Sequence, residues 1–240
     1  MTPYLAIVQA RMGSSRLPGK VMADLCCRPM IWHVLERLRL SKRVDLIVAA
    51  IPTGKKDDVL AGYLCGIGAK VFRGNEDDVL DRFCRASRLY PSGAVVRITA
   101  DNPLFDPKIL DDTIGYFEKS GFRYVRTGGF PLGVGAEVFE TPLLEEAHAR
   151  ASSAREREHV TPYMYCSQES HGVYGSEKNL SRIRLTVDTR EDLLLMKKIY
   201  GHFFRGVHNF FLDDVLAYLG EENGLSRGGQ DGAGPEDDSL

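Results

Sequence analysis

The sequence predicts an α/β fold with a mostly parallel central sheet and helices on both of its faces. Over the first two-thirds of the chain, short strand-like segments alternate with amphipathic helix-like segments. The strand-like segments are continuously apolar, as strands are when helices cover both faces of a parallel sheet. Ligands of such open sheets bind beyond the carboxyl ends of the strands, so the loops that follow the strands are the first place to look for a site.

The alternation begins with a strand and stays regular to about residue 120. Within the first expected helix, Met30, Val34 and Leu38 recur at helical spacing, and Pro29 suits its first turn. The expected strands are Tyr4 to Gln9, Leu46 to Ile51, Lys70 to Phe72 and Ala94 to Thr99, and the expected helices are Pro29 to Leu40, Lys56 to Cys65, Asp77 to Tyr90 and Lys108 to Ser120.

The pattern is less regular after Gly121, where residues 128–135 are glycine-rich and predict a loop. We expect one domain over residues 1–220. Residues 221–240 hold six acidic residues against one arginine and little that could be buried, which predicts a disordered tail. The remaining expected strands are Glu137 to Phe139 and Arg182 to Val187, and the remaining expected helices are Pro142 to Arg150, Glu158 to Ser167 and Arg190 to His202.

The composition excludes several classes of protein. The 240 residues are 43% hydrophobic and 27% charged, with a formal net charge of -2, which is typical of a soluble globular protein and not of one that coats nucleic acid. The apolar runs are too short to span a membrane, and no secretory signal is visible, so we expect a cytoplasmic location. The five cysteines are odd in number and lack C-x-x-C spacing, which argues against a disulfide framework or a zinc site.

The loop after the first strand is the most informative segment. Residues 9–20 read QARMGSSRLPGK and contain two arginines, one lysine, two serines and two glycines. Glycines let backbone amides approach a phosphate, arginine binds phosphate through two hydrogen bonds, and lysine supplies a compact charge. At the ligand-binding edge of a parallel sheet, this density of positive charge favours a polyphosphate site over a solvated basic turn.

Spacing excludes two common phosphate loops. The two glycines of the loop lie six residues apart, one more than the Walker pattern G-x-x-x-x-G-K-[ST] allows, and Val21 follows Lys20. The dinucleotide pattern G-x-G-x-x-G is absent after the first strand, and a fragment of it at Gly66 ends at Val71.

Two aspartates, far apart in sequence, stand at the ends of expected strands. Asp101 follows the strand that ends at Thr99, and Asp188 follows the strand that ends at Val187. Because magnesium typically takes one or two protein carboxylates together with phosphate oxygens and water, the pair suits a metal beside a bound nucleotide. Each aspartate also has a structural alternative, a turn before Asn-Pro for the first and a helix cap at Asp188 or Thr189 for the second.

Three segments in the same order resemble one family of enzymes. The QARMGSSRLPGK loop, the DNPL segment at Asp101 and the VDTREDL segment at Asp188 are similar to those of cytidylyltransferases that make CMP-activated sugars. These include the CMP-Kdo and CMP-acylneuraminate synthetases, and the similarity is closest to the spore-coat polysaccharide branch. The resemblance extends to about His208. It implies a Rossmann-like nucleotide-diphospho-sugar transferase fold of the GT-A type.

The resemblance also implies roles for individual residues. Mg²⁺ would be the cofactor, held by Asp101 and Asp188, and the phosphates of CTP would lie in the loop. Glu137 and His159 match positions of the spore-coat branch and are expected to face the acceptor, although a helix histidine is more often structural. The expected nucleotide-binding residues are Gln9, Ala10, Arg11, Gly13, Ser14, Arg16, Lys20, Asp78 and Arg97, and the expected catalytic residues are Lys20, Arg16, Asp101 and Asp188.

These features predict the transfer of CMP from CTP to an acidic sugar or a related polar acceptor, with release of pyrophosphate, in surface polysaccharide or glycan biosynthesis. One alternative is a GT-A-type glycosyltransferase that uses a finished sugar nucleotide, but Asp101-Asn102-Pro103 lacks the second aspartate of a D-x-D motif. Another is a non-catalytic nucleotide-binding protein, which would bind CTP without turnover. The sequence fixes neither the acceptor nor the oligomeric state, and many relatives in this family form homodimers.

Overall fold

The computed structural model describes residues 3–167 and 171–222. Single turns of 3-10 helix stand at Lys20–Met22 and Lys55–Asp57. The strands in this part of the chain are β1 (Tyr4–Gln9), β2 (Asp24–Leu25), β3 (Arg28–Pro29), β4 (Leu46–Pro52), β5 (Lys70–Gly74), β6 (Ala94–Thr99), β7 (Tyr124–Gly128), β8 (Glu137–Glu140) and β9 (Gly172–Gly175). The helices are α1 (Met30–Leu38), α2 (Asp58–Gly66), α3 (Val79–Leu89), α4 (Pro107–Ser120), α5 (Thr141–Arg150), α6 (Ala154–His159), α7 (Pro162–Ser167), α8 (Arg190–Phe203) and α9 (Leu212–Glu222).

The main sheet has the strand order β5-β4-β1-β6-β8-β7-β9. Strands β5, β4, β1 and β6 are parallel, whereas β8 runs antiparallel to both β6 and β7. Strands β2 and β3 form a separate hairpin. Since β1 and β6 are adjacent and parallel, the loop that follows β1 and the segment that follows β6 meet at one edge of the sheet.

The two faces of the sheet bury separate apolar clusters. Along β1, Ala6 and Val8 pack into the cluster that α1, α2 and α4 cover. The alternate residues Leu5 and Ile7 pack into the cluster that α3 and α5 cover on the opposite face, as the period of two in a strand requires. The predicted mostly parallel sheet with helices on both faces is therefore confirmed.

The prediction of a strand over Arg182 to Val187 was wrong. The segment makes a single bridge, between Leu132 and Arg184. Its amides are satisfied by loops and not by a neighbouring strand, because Leu185 N donates to Leu132 O at 2.7 Å and Val187 N donates to Asp101 O at 2.8 Å. The apolar residues of this segment are buried between these loops, and this burial gives the same alternating pattern as a strand.

The predicted helix over Glu158 to Ser167 is divided into α6 and α7. Pro162 is the first residue of α7, and the residue before a proline disfavours helical geometry. Two residues earlier, Val160 takes a left-handed φ of 69° and is fully buried. The chain therefore turns sharply between the two short helices.

The predicted tail lies almost entirely outside the described residues. Its first two positions, 221 and 222, are the last two residues of α9, so helical structure extends beyond the expected boundary. Residues 223–240 are outside the described part of the chain, and the predicted disorder stays a prediction, as does the single domain. Among residues 3–167 and 171–222, no helix is both long enough and apolar enough to cross a membrane.

A buried pair of histidines joins α1 to the segment between α8 and α9. His33 Nε2 lies 2.7 Å from Leu25 O, so it carries the proton and donates to that carbonyl. His33 Nδ1 therefore accepts a hydrogen bond from His208 Nε2 at 2.9 Å, and both rings are neutral. Burial lowers the pKa of His33 to about 4 and the pKa of His208 to about 3.

The histidine pair predicts a loss of stability in mild acid. Below about pH 6.5 the unfolded chain binds protons on these histidines that the folded chain does not bind, so the free energy of unfolding falls as pH falls. The expected slope is up to about 1.4 kcal/mol per pH unit for each histidine between that pH and its folded pKa.

The variant His208→Gln keeps a donor for His33 Nδ1 but loses one titrating site. Its free energy of unfolding, measured by urea denaturation from pH 7 to pH 4.5, is expected to fall less steeply than that of the native protein. Equal slopes for the two proteins would contradict the assignment of a neutral buried pair.

Candidate active site

A cleft of about 300 Å³ opens at the carboxyl edge of β1 and β6. Its floor is made by the strand ends, one wall by the loop of residues 11–20 and the other by residues of α3 and α6. We call this space the nucleotide cleft. Its lining residues are Gln9, Ala10, Arg11, Ser14, Ser15, Arg16, Lys20, Val21, Val79, Arg82, Thr99, Ala100, Asp101, Glu158, His159 and Asp188.

Lys20 joins the two aspartates that the sequence singled out. Its Nζ donates to Asp101 Oδ2 at 2.8 Å and to Asp188 Oδ1 at 3.0 Å. A third hydrogen bond goes to Val187 O at 2.7 Å, and the lysine side chain is only 10% exposed. Gly19, with a left-handed φ of 73°, precedes the 3-10 turn that carries Lys20. The loop and the two distant aspartates therefore converge, as predicted.

Asp188 is held by three cations. Besides Lys20, Arg16 lies 3.1 Å and Arg184 lies 3.0 Å from its carboxylate oxygens. Burial raises the pKa of Asp188, but the hydrogen bond and charge of Lys20, together with the two arginines, outweigh burial and leave that pKa below its ordinary value. Asp188 is therefore ionised at neutral pH.

Of the two residues expected as alternative helix caps, Thr189 caps the helix and Asp188 does not. Thr189 is the N-cap of α8 and shares a capping box with Asp192. The Asp188 carboxylate is therefore not used as a helix cap, and the residue lines the cleft.

The carboxylate of Asp101 makes no hydrogen bond that closes the turn in which the residue lies. That turn is closed by Asn102, whose N and Nδ2 donate to Thr99 O at 3.2 Å and to Thr99 Oγ1 at 2.8 Å. The carboxylate instead reaches Lys20. The turn exists, but it does not account for the choice of an aspartate at this position.

The aspartate pair fits a hard divalent cation that is completed by a ligand. Asp101 and Asp188 supply only oxygen donors, which Mg²⁺ prefers. The ammonium group of Lys20 provides the positive charge between the two carboxylates. Within residues 3–167 and 171–222, no group of three or more histidine, cysteine or acidic side chains could hold a metal by itself. A metal here would need phosphate oxygens and water as further ligands.

The loop residues differ in how they meet the cleft. Ser14 and Arg16 line it, and Ser14 Oγ also accepts a hydrogen bond from Leu17 N at 3.3 Å. Arg11 reaches across the opening to Glu158 of α6, at 3.4 Å. Gly13 does not line the cleft. It lies against Lys56, whose Nζ would be 2.8 Å from a Cβ placed at this position.

Asp57 and Arg82 are buried polar residues that sequence reasoning missed or underrated. Asp57 Oδ1 accepts from Met12 N at 2.7 Å and so anchors the start of the loop. Arg82 lines the cleft at 1% exposure, and burial and then the charge of Arg11 lower its pKa to about 10. Asp57 Oδ2 and Arg82 Nε have no hydrogen-bond partner among the described residues. The only signal in the sequence was the acidic-to-basic run at residues 76–82.

Two predicted binding residues have other surroundings than expected. Asp78 caps α3 by accepting from Asp81 N at 2.8 Å, lies 3.5 Å from Arg157 and does not line the cleft. His159, expected near the acceptor, lies at the end of α6 and lines the nucleotide cleft. Contact of either residue with a ligand stays a prediction.

A second cavity, of about 340 Å³, meets the nucleotide cleft at Thr99. Its lining includes Arg97 and Glu137, together with Asn102, the neighbour of Asp101. The two residues that the sequence assigned to nucleotide and acceptor are thus brought together on neighbouring strands.

Glu137 is the centre of a hydrogen-bond network that crosses the sheet. Its Oε1 accepts from Tyr124 and from Thr161 Oγ1, and its Oε2 is ion-paired with Arg97. Arg97 Nε in turn donates to Gln9 Oε1 at 3.1 Å. Gln9, which lines the nucleotide cleft, is thus connected to the network.

The network also sets the charge state of Glu137. Burial raises the pKa of this carboxyl, but Arg97 and the hydrogen bonds from Tyr124 and Thr161 outweigh burial and leave the pKa below its ordinary value. Three donors already use its oxygens, so the residue is better placed to hold Arg97 than to bind an acceptor.

Glu137→Gln is expected to destabilise the protein more than a matched change at an exposed ion pair. The variant leaves the charge of Arg97, which is only 16% exposed, without its partner. We expect a loss of about 2 kcal/mol in the free energy of unfolding.

The control Glu145→Gln removes the partner of Arg88 in a pair whose side chains are 37% and 54% exposed. Its expected loss is below about 1 kcal/mol. Chemical denaturation at pH 7 measures both, and equal losses would show that the Glu137 network contributes nothing beyond a surface ion pair.

The sheet edge, the cationic loop and the paired carboxylates beside two adjoining cavities define a nucleotidyltransferase. Residues 5–215 match the family model of the cytidylyltransferases. The chain belongs to that family, and the predicted nucleotide-sugar transferase fold is confirmed.

One curated relative and two solved structures illustrate the similarity. The chain is 35% identical over 209 residues to the spore coat polysaccharide biosynthesis protein SpsF of Bacillus subtilis, covering 83% of this chain and 87% of that protein. It superposes with a TM-score of 0.87 on a cytidylyltransferase from Leptospira borgpetersenii, at 29% identity, covering 97% of this chain and 100% of that one. A CMP:2-keto-3-deoxy-manno-octonic acid synthetase, solved in complex with CTP, shares the fold with a TM-score of 0.65 at 15% identity, covering 83% of this chain and 99% of that one.

Proposed function

We propose that the protein transfers CMP from CTP to a hydroxyl of an acidic sugar or a related polar acceptor, in surface polysaccharide or glycan biosynthesis. The observation that carries this proposal is that Lys20 donates hydrogen bonds to both Asp101 and Asp188. These residues lie at the wall of a cleft whose composition suits a triphosphate. The similarity to SpsF supports a role in polysaccharide biosynthesis. The structure of the 2-keto-3-deoxy-manno-octonic acid synthetase in complex with CTP supports CTP as the nucleotide substrate.

The charges of the cleft suit a metal-bound triphosphate. Its lining has four cations against three carboxylates, an excess of one positive charge. A nucleoside triphosphate carries more negative charge than this excess can neutralise, so a divalent cation must balance part of it. The cations are Arg11, Arg16, Lys20 and Arg82, and the carboxylates are Asp101, Asp188 and Glu158.

Asp101 and Asp188 would hold Mg²⁺. When bound, Mg²⁺ supplies charge neutralisation at the α-phosphate and lowers the pKa of a coordinated hydroxyl. Lys20, released from the carboxylates, then becomes a donor for phosphate oxygens, and Arg16 can bind the leaving pyrophosphate through two hydrogen bonds. Arg11 would exchange Glu158 for phosphate when the nucleotide enters.

The reaction is an in-line displacement at the α-phosphorus. A hydroxyl oxygen of the acceptor forms the new P–O bond, while the bond from the α-phosphorus to the bridging oxygen of pyrophosphate breaks. The hydroxyl proton passes to water, and pyrophosphate leaves with the bonding electron pair. Catalysis of this kind depends on positioning and charge stabilisation and needs no covalent intermediate. The second cavity, which meets the cleft at Thr99, is where the acceptor would approach.

The variants Lys20→Met and Asp101→Asn test the proposal. Lys20→Met removes a positive charge that stabilises the transition state, and Asp101→Asn removes a carboxylate that would hold Mg²⁺. In both variants pyrophosphate release from CTP is expected to fall at least about 100-fold. The measurement is an enzyme-coupled pyrophosphate assay with Mg²⁺ and a panel of sugar acids. Lys197→Met, an exposed lysine change on α8, is the control and is expected to keep native activity.

Two results would reject the proposal. Native rates in either variant would show that the lysine-carboxylate group is not the catalytic centre. CTP binding without pyrophosphate release for any acceptor would instead favour a non-catalytic nucleotide-binding protein. The same assay with ATP, GTP and UTP tests the choice of base. Release of a nucleoside diphosphate or monophosphate from a finished sugar nucleotide, measured separately, would point to a glycosyltransferase.

A further inference from the structure

Two adjacent cysteines form the tip of the hairpin between β2 and β3. Leu25 is paired in register with Arg28, so Cys26 and Cys27 are the two central residues of the turn. Both have a left-handed backbone, with a φ of 50° at Cys26 and 65° at Cys27. Positive φ at both central residues of a two-residue hairpin loop is the pattern of a type I′ turn.

Cysteine is an unfavourable residue for this turn. Type I′ turns prefer Asn-Gly, because asparagine tolerates left-handed geometry and glycine adopts it freely. Other residues are disfavoured there, since their Cβ atom crowds the following carbonyl oxygen. Of the three non-glycine residues with a positive φ in residues 3–167 and 171–222, two stand next to each other here. The backbone preference of cysteine therefore does not explain the pair.

Packing does not explain the pair either. Cysteines without a chemical role are usually buried and act as small apolar side chains. Cys26 is half-buried against the apolar cluster that contains Leu25, but Cys27 is exposed. The property that the two residues share is the thiol group, and the turn carries two thiols on neighbouring residues.

The hairpin is connected to the turn that carries Lys20. Ala23 N donates to Lys20 O at 2.9 Å, and Ala23 O accepts from Met30 N at 2.9 Å. Strand β2 also packs against α8, the helix that follows Asp188. A change of backbone at the tip of this short hairpin would therefore act close to the segments that carry Lys20 and Asp188.

The two thiols differ in how they meet a reagent in solution. Burial raises the pKa of Cys26, the charges of Asp24 and Cys27 raise it further, and Arg205 acts in the opposite direction. Because the thiolate is the nucleophile, Cys26 is the slower of the two to react with an external reagent. The exposed Cys27 is the thiol that such a reagent meets first.

We propose that Cys26 and Cys27 are a reversible oxidation site, in which a disulfide forms between the two residues and loosens the turn that carries Lys20. The oxidant is a small disulfide such as oxidised glutathione. The part of the proposal that concerns activity rests on the proposed function, because a displaced Lys20 would slow the transfer of CMP. The oxidation itself does not depend on that function.

The oxidation proceeds by two thiol–disulfide exchanges. The Cys27 thiolate attacks one sulfur of oxidised glutathione, which forms a mixed disulfide and releases one glutathione thiolate. The Cys26 thiolate then attacks the Cys27 sulfur, and the second glutathione thiolate leaves. The two cysteines lose two electrons and their two protons, and oxidised glutathione becomes two molecules of glutathione.

A disulfide between neighbours is strained. Consecutive Cα atoms lie about 3.8 Å apart, whereas the Cα atoms of ordinary disulfides lie about 4.4–6.8 Å apart. Strained disulfides are readily reduced, and labile disulfides of this kind are the ones that serve regulation. The small ring that closes imposes its own geometry on the turn, and the hairpin passes this change to the Lys20 turn.

Mass spectrometry tests the oxidation on the full chain. The variant Cys65→Ser/Cys166→Ser removes the other exposed cysteines and serves as the background. After treatment with oxidised glutathione, the tryptic peptide of residues 21–37 should lose two hydrogens, and dithiothreitol should restore them. Adding Cys26→Ser should stop the reaction with one glutathione on Cys27, and adding Cys27→Ser should slow it at least about tenfold.

Hydrogen exchange tests the effect of oxidation on the Lys20 turn without measuring activity. The amides of residues 20–30 should exchange at least about tenfold faster in the oxidised protein than in the reduced protein. Pyrophosphate release from CTP should fall at least about fivefold on oxidation and return with dithiothreitol, because Lys20 is displaced.

The variant Cys26→Asn/Cys27→Gly is the matched control, since it gives the turn its preferred residues. Its melting temperature should lie about 4 °C above that of the native protein, and oxidised glutathione should change neither its hydrogen exchange nor its activity. A melting temperature at or below the native value would contradict the claim that the turn is unfavourable for cysteine.

The inference and the proposed function fail in different ways. A native protein that forms no disulfide within residues 21–37, or an oxidised protein with unchanged hydrogen exchange and activity, would overturn the inference and leave the transfer reaction standing. If the disulfide forms and hydrogen exchange becomes faster, but the reduced protein releases no pyrophosphate from CTP, the oxidation site stands and the transfer reaction is rejected.

Discussion

The site depends on one ammonium group held between two carboxylates. Lys20 donates to Asp101 and Asp188 from a side chain that is almost buried, so without it two negative charges would face each other in a weakly solvated wall. The segments that carry the aspartates are also joined by their backbones, through Val187 N and Asp101 O at 2.8 Å. The carboxylates are thus fixed before any ligand arrives, and the lysine serves as their counter-ion.

A second constraint links the two cavities. Tyr124 and Thr161 hold Glu137, Glu137 holds Arg97, and Arg97 holds the amide of Gln9 in the nucleotide cleft. Because these contacts run across β7, β8, β6 and β1, the antiparallel side of the sheet supports the parallel side. The residues that line the two cavities are thus joined by a continuous series of hydrogen bonds.

Much of this was predictable because the deciding signals are local. The first strand and the strand at Ala94–Thr99 were placed correctly, since each is a short apolar run bounded by polar or turn residues. The convergence of Lys20 with Asp101 follows from adjacent parallel strands. Asp188 was found although its strand was not formed, because burial between loops gives the same apolar pattern as burial in a sheet.

The rest depended on contacts that no local pattern reveals. Asp57 anchors the loop from 45 residues away. The run at residues 76–82 made Arg82 a possible residue of the site wall, but it did not indicate that the guanidinium is buried there. Strands β7 and β9 were missed because their short, glycine-bounded segments gain stability from pairing at the sheet edge. Glu137 was expected to face the acceptor, which stays a prediction; its contacts with β6, β7 and the turn between α6 and α7 were not foreseen.

The most direct test of this account is the position of a metal ion beside bound nucleotide. Crystals grown with CTP and Mn²⁺, measured at the manganese absorption edge, would locate the ion by its anomalous signal. The account predicts one ion bonded to both Asp101 and Asp188, with Lys20 Nζ moved to a phosphate oxygen. An ion bound elsewhere while Lys20 keeps both carboxylates, or a nucleotide bound outside the cleft, would contradict it.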